Sequence, residues 1–250
     1  MKVIVIIPAA GLGTRMAPVP SALSAVGKDA KEKKPHPSKQ FTELGGTPIL
    51  IHTLKRFLDV PAVSEIWIAL RENEIEGFRE RLQREFPDLR GKKIELAVGG
   101  EHRQQSVQNA LNQIQSGSND IVLVHDAVRP FVTAEIIQEV IAAAEKHGAA
   151  IAGMPAVDTV KQVERTSEGA IIKATIPRAG IVLAQTPQGF RYGIIKKAFD
   201  DAAADGFNGT DEASLAERAG YEVTVVMGSP RNIKITTPSD MELADFYLRK

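Results

Sequence analysis

The stretch Val3-Ile4-Val5-Ile6-Ile7-Pro8-Ala9-Ala10-Gly11-Leu12-Gly13-Thr14-Arg15-Met16 decides how the chain is read. Its unbroken apolar run is the mark of a strand buried on both faces, as strands of a parallel sheet are. The run ends in a turn of two alanines and two glycines. Residues that small let a ligand approach the backbone, whose successive N–H groups can cradle phosphate oxygens. Arg15 adds a planar, permanently charged donor fork suited to phosphate. Ligands of open α/β sheets also bind at the carboxyl ends of parallel strands, where this turn lies. The turn is neither a P-loop, since G-x-x-x-x-G-K-[ST] does not match, nor a dinucleotide fingerprint, since Met16 stands at its last glycine position.

Outward from this stretch, apolar runs recur at Ile66–Leu70, Ile94–Val98, Ile121–Val124, Ala150–Met154 and Val223–Met227. Helix-length amphipathic segments lie between most of them. Pro48–Leu58 is one, and Thr133–His147 is another, with Thr133 as its cap and Glu135 in its first turn. Pro238–Leu248, capped by Thr237, reads as a closing helix. Strands alternating with helices predict an α/β fold on a mostly parallel central sheet. Two segments break the rhythm. Residues 17–38 hold four prolines and a Lys-rich run, and read as a surface loop inserted in the fold. Residues 157–178 read as an antiparallel hairpin, Asp158–Val163 and Ala170–Ile176 about a turn at Thr166–Gly169. A two-stranded arm is marginal alone in water, so it should pack on something, a second subunit being one choice. No internal repeat or domain linker interrupts residues 1–250, which are expected to form one domain.

Composition narrows the function classes. The chain has 250 residues, with 31 basic and 31 acidic, and 43% hydrophobic. A neutral total argues against a broad nucleic-acid surface, though not against a small cationic pocket. Cysteine is absent, which removes disulfides, thiolate metal sites and thiol nucleophiles together. The apolar run after Lys2 is too short for a secretory signal, whose core needs roughly 7–15 residues. No run approaches the roughly 20 residues of a membrane span. A cytoplasmic location, with no membrane or nucleic-acid partner, is the expectation.

Further motifs follow in a fixed order: Ser38-Lys39-Gln40-Phe41, Gly99-Gly100-Glu101-His102-Arg103-Gln104-Gln105-Ser106, His125-Asp126-Ala127-Val128-Arg129-Pro130, Asp158-Thr159, Pro177-Arg178, Gln185-Thr186-Pro187-Gln188, Thr210-Asp211-Glu212 and Asn232-Ile233-Lys234. With the glycine turn, this ordered set closely resembles the 2-C-methyl-D-erythritol 4-phosphate cytidylyltransferases of the non-mevalonate isoprenoid pathway. The resemblance covers essentially the whole chain. It implies a Rossmann-like fold of the nucleotide-diphospho-sugar transferase type with a protruding β-arm. It implies transfer of CMP from CTP to methylerythritol 4-phosphate, with release of pyrophosphate. It also implies Mg²⁺ or another divalent cation, bound mainly through the triphosphate; no residue of this chain is assigned to the metal.

Site residues follow from the same resemblance. Ala9, Ala10, Gly11, Gly13 and Arg15 would wrap the triphosphate, and Gly100, Glu101 and Ser106 would read the base. Arg15, Lys39, Arg178 and Lys234 would be the catalytic cations, relieving repulsion between an anionic nucleophile and the α-phosphate. Asp126 would face both CTP and the acceptor. Arg129, Thr159, Arg178, Thr210 and Lys234 would bind the acceptor, with Thr159 and Arg178 carried by the arm into a partner subunit's site. A homodimer is thereby implied. His125 is expected to be structural, because a phosphate nucleophile is already ionised near neutral pH and needs no base.

Three other readings stand beside this one. A ribitol 5-phosphate cytidylyltransferase would share the turn, the lysines and the arm. A nucleotide-binding protein that lost catalysis would be expected to have lost some of these cations. A dinucleotide-dependent oxidoreductase lacks its fingerprint. The long interval between Arg15 and Lys39 departs from the family's short step. Residues 17–38 are read either as a basic lid using Lys28, Lys31, Lys33 and Lys34 or as an inert loop, and composition favours the second.

Overall fold

A computed structural model describes residues 1–11, 38–89, 91–166 and 169–250. Gly13, Arg15, the four lysines of the inserted segment and all of 17–38 except Ser38 lie outside the described residues.

The opening stretch forms strand β1, Val3–Pro8. Val3 to Ile7 are at most 1% exposed, so each side chain contributes about 1.5–3 kcal/mol of burial. The strand's two-residue period sends Val3, Val5 and Ile7 to one face of a sheet and Ile4 and Ile6 to the other. That double burial is possible only in the middle of a sheet covered on both sides.

Short strands β2 (Glu43–Leu44) and β3 (Thr47–Pro48) pair as a small hairpin. Then come β4 (Glu65–Leu70), β5 (Lys93–Val98), β6 (Ile121–Val124) and β7 (Ala149–Pro155). The arm strands are β8 (Val160–Thr166) and β9 (Gly169–Ile176), followed by β10 (Val182–Arg191) and β11 (Thr224–Met227). Seven of these form one sheet in the order β11-β7-β10-β6-β1-β4-β5. Only β10 runs antiparallel to its neighbours, β6 and β7; the other pairings are parallel.

Helices α1 (Ile49–Leu58), α2 (Glu72–Glu85) and α4 (Ala134–His147) cover the face of Val5 and Ile7. Helices α3 (Arg103–Leu111), α5 (Tyr192–Ala204) and α6 (Glu212–Arg218) cover the face of Ile4 and Ile6. The caps at Thr133 and Thr237 form as expected, the second heading α7, Pro238–Leu248. Helix α7 packs on the β2–β3 hairpin through a small core of Leu44, Ile49, Ile235 and Ala244.

The α/β expectation is met, with two refinements. Strand β10 is not marked by an apolar run. Pro187 and Gly189 interrupt it, and Pro is tolerated there because the register with β7 shifts between Ala184 and Gln188. Strands β5 and β11 are edges of the sheet, so their residues are only partly covered rather than buried on both faces. The hairpin β8–β9 is a separate two-stranded sheet, as its turn and composition indicate. Among the described residues, no helix is long and apolar enough to cross a membrane.

Candidate active site

The carboxyl ends of β1, β4, β5 and β6 share one edge of the sheet, and the functional side chains gather there. Pro8 to Gly11 leave β1 as one wall of a cleft with about 750 Å³ of empty space, open to solvent. Gly99 and Gly100 leave β5. A methyl group on Gly99 would collide with the Ala10 side chain, so the Ala10 methyl rests directly against the Gly99 backbone. The corner after β5 is then pinned by Ser106, whose hydroxyl accepts from the Gly100 N–H at 3.0 Å and donates to the His102 carbonyl at 3.0 Å. Glu101 lies on the rim, its N–H donating to Gln105 Oε1 at 2.9 Å.

Lys39 enters the cleft from a single 3-10 turn, Lys39–Phe41, and is 8% exposed. Both of its neighbours are tied down. The Gln40 amide donates to the Ala9 carbonyl, at the root of the glycine turn. The Ser38 hydroxyl donates to Glu74 of α2 at 2.6 Å.

Asp126, just beyond β6, is the centre of charge. Its Oδ1 accepts from Arg103 Nε at 3.1 Å. Its Oδ2 meets Arg129 Nε at 3.2 Å and Lys234 Nζ at 2.9 Å. Burial alone would raise this carboxyl, but Arg103, Lys234 and Arg129 outweigh it and hold it well below the usual carboxylate range. Arg103 continues to Glu212, where one Nη1 donates to both carboxylate oxygens at 2.7 and 2.9 Å. Burial pushes Glu212 upward and Arg103 pulls it back.

Lys234 is placed by Asn232. That side chain donates to the Thr186 carbonyl at 2.8 Å, while its own backbone carbonyl accepts from Arg129 Nη1 at 2.7 Å. A second hollow adjoins the first. It is lined by Arg129, Thr186, Gln188 and Thr210, and shares Arg103, Asp126 and Lys234 with the cleft. Asp126 and Lys234 therefore stand at the border between two compartments.

The structure thus brings together Ala9, Ala10, Gly11, Lys39, Gly100, Glu101, Ser106, Asp126, Arg129, Thr210 and Lys234 around two joined hollows. Thr159 and Arg178 are not brought there. Both are exposed at the base of the arm, where Arg178 donates to the Val157 carbonyl. Arg103, Glu212, Gln40 and Asn232 are members of the site that stand within the motifs but were assigned no role from them. A signal existed for Arg103: a cation at the first position of a helix opposes the helix dipole and needs a local reason.

His125 is structural. It is fully buried, edge-on to Phe57 with ring centroids 4.9 Å apart, and lines neither hollow. Its Nε2 lies 3.1 Å from the Arg129 carbonyl, which can only accept, so Nε2 carries the hydrogen. Nδ1 then accepts from the Thr186 hydroxyl at 3.1 Å, whose oxygen accepts from the Asp126 N–H at 3.1 Å. Burial pushes the imidazole down to about 4. Because the unfolded chain takes up the proton near 6.5 and the folded chain does not, stability is intact above that pH. It falls as pH drops from 6.5 through 4, by on the order of 3 kcal/mol. Urea unfolding across this window should show that loss, and His125→Gln should flatten it; equal slopes would place the proton elsewhere.

A metal finds few ligands here. Among the described residues no group of three or more His, Asp or Glu could hold one, and both oxygens of Asp126 already carry cations. The described side chains do not fit a resident metal centre.

A family model for 2-C-methyl-D-erythritol 4-phosphate cytidylyltransferase matches residues 3–250. The chain belongs to this cytidylyltransferase family. A cytidylyltransferase of that name from Acidobacterium capsulatum is 57% identical over 100% of this chain and 98% of its own. Another from Solibacter usitatus is 50% identical, covering 100% and 97%. Among solved structures, the 2-C-methyl-D-erythritol 4-phosphate cytidylyltransferase of Thermus thermophilus superposes with a TM-score of 0.74 at 30% identity, covering 100% of both chains. That of Francisella tularensis gives 0.76 at 35% identity over 98% and 99%. The cytidylyltransferase family thus accounts for the order of the motifs and for the sheet that carries them.

Proposed function

We propose that this protein transfers CMP from CTP to 2-C-methyl-D-erythritol 4-phosphate, giving 4-diphosphocytidyl-2-C-methyl-D-erythritol and pyrophosphate. One observation carries the reading beyond family membership. Lys39, Lys234 and the Asp126 cluster meet at one cleft, between a glycine turn and a Gly-Gly corner. CTP occupies the first hollow, its phosphates over Pro8–Gly11 and its base at Gly100, Glu101 and Ser106. The acceptor occupies the second, against Thr210 and Arg129.

An acceptor phosphate oxygen forms a bond to the α-phosphorus in line with the bond to the departing pyrophosphate, which leaves with the electron pair. No proton need move, which agrees with a buried, neutral His125. Lys39 and Lys234 neutralise charge at the α-phosphate and at the incoming phosphate. Lys234 is held by Asp126 at the border of the two hollows, so it contributes alignment as well as charge. A divalent cation enters on the triphosphate as part of the substrate. Arg15 and Gly13, outside the described residues, keep the triphosphate role that the family resemblance implies.

The β8–β9 arm is the dimerisation element. Val163 and Ile172 face each other across it, 43% and 60% exposed, and Ile171 is 55% exposed. A second copy covering this surface brings Thr159 and Arg178 to the partner's acceptor hollow. Ile172→Asp should convert a dimer to monomer in sedimentation while lowering turnover; a dimer with full activity would end the arm model.

The deciding experiment is a panel of polyol phosphates, methylerythritol 4-phosphate and ribitol 5-phosphate among them, offered with each nucleoside triphosphate and Mg²⁺. Pyrophosphate release is expected with CTP and methylerythritol 4-phosphate. No release with that pair defeats the reading, and CTP binding without turnover on any acceptor would point to a protein that has lost catalysis.

A further inference from the structure

We propose that Arg103, aimed by the buried carboxylate of Glu212, is a positioning residue that sets the orientation of Asp126 and so links the nucleotide corner to the acceptor hollow. The inference rests on the two-hollow reading above. Arg103 is the first residue of α3, directly after the Gly100–Glu101 corner. Glu212 is the first residue of α6, directly after Thr210 and Asp211. One guanidinium therefore joins three chain segments, those that follow β5, β6 and α5.

Its geometry is asymmetric in a useful way. Lys234 and Arg129 share Oδ2 of Asp126, whereas Arg103 is the ion-pair partner of Oδ1. Arg103 thereby fixes the rotation of the carboxylate plane, and with it the place of Lys234 Nζ. Glu212 has the complementary task. Its side chain is 1% exposed, and Arg103 Nη1 bonds both of its oxygens. A buried carboxylate is costly unless paired, so it grips the guanidinium firmly. With that charge removed, Arg103 is drawn wholly onto Asp126 and pulls it toward α3, away from Lys234 and Arg129. The base corner has its own support in Ser106, and Glu212 does not line the first hollow, so CTP binding does not depend on the Glu212 carboxylate.

The test uses the full-length protein with Glu212→Gln and Arg103→Lys. Three quantities are measured: the calorimetric affinity for CTP alone, kcat and KM for the acceptor at saturating CTP, and the unfolding midpoint. In Glu212→Gln the CTP affinity should stay within about threefold of wild type, while KM for the acceptor rises about tenfold or more. Arg103→Lys should likewise raise KM for the acceptor, because an ammonium cannot hold both carboxylates in fixed geometry, and, as a lining residue of the first hollow, it should weaken CTP as well. Glu212→Asp, which keeps the charge on a shorter arm, should recover part of the loss and stands in if the glutamine variant fails to fold. In Glu212→Gln, whose side chain lies outside the first hollow, a parallel loss of CTP and acceptor affinity, or an unchanged acceptor KM in the folded variant, overturns the proposal. Each ratio is taken on whichever acceptor the wild type uses in the panel, so a failed panel is recognised separately. Affinity of the CTP-loaded protein for inorganic phosphate gives the same comparison without turnover: it should fall in Glu212→Gln, and an unchanged value counts against the link.

Discussion

Replacing Lys234 by alanine lowers turnover by roughly 10²–10³-fold, and Lys39→Ala does so by a similar factor, as removal of one charge-stabilising donor does in other active sites. Neither change should unfold the protein. The Lys234 side chain is 36% exposed, and Asp126 keeps Arg103 and Arg129 after its loss, so stability should move by no more than about 1 kcal/mol. Lys39 is less exposed, and its turn is also anchored by Ser38 and Gln40. The measurement is single-turnover CMP transfer set beside urea unfolding of the same samples. Near-normal single-turnover rates in both variants would refute the cation assignment. A loss that tracks unfolding would make these lysines structural.

Asp126→Asn, by contrast, should cost stability heavily. The carboxylate is surrounded by three cations, and its charge is what lets them lie together. Removing one partner from a buried ionic group costs about 3–5 kcal/mol, because the remaining charges are left uncompensated. Turnover should fall with it, since Lys234 and Arg129 no longer share an anchor. The cause can be checked directly. Inorganic phosphate or pyrophosphate binding among the three cations would replace the missing charge and raise the unfolding midpoint of the variant more than that of wild type. A variant as stable as wild type without added anion would show that the cluster does not depend on this charge.

Much of the site was legible because it is local. Strand β1, its glycine turn, the cap at Thr133 and the arm hairpin are each determined by a few consecutive residues. Gly99-Gly100 and Asn232-Ile233-Lys234 stood out as motifs for the same reason. Strand β10 did not, because its proline and glycine contradict the strand pattern, and only its partners β6 and β7 reveal it. Arg103 and Glu212 stand within motifs, but their pairing was not legible. Each is an ordinary charged residue in the first turn of a helix, and 109 positions separate them.

The sequence by itself therefore determined the fold class, the family and the chemistry of single residues, since apolar periodicity, turn residues and motif order are properties of neighbours along the chain. Tertiary structure alone decided which charges meet. A neutral chain of 31 basic and 31 acidic residues becomes cationic at one edge of its sheet only when β1, β5, β6 and the loop before α7 end side by side. Electrostatic energy depends on distance in space and on burial, and neither can be read from position in the sequence.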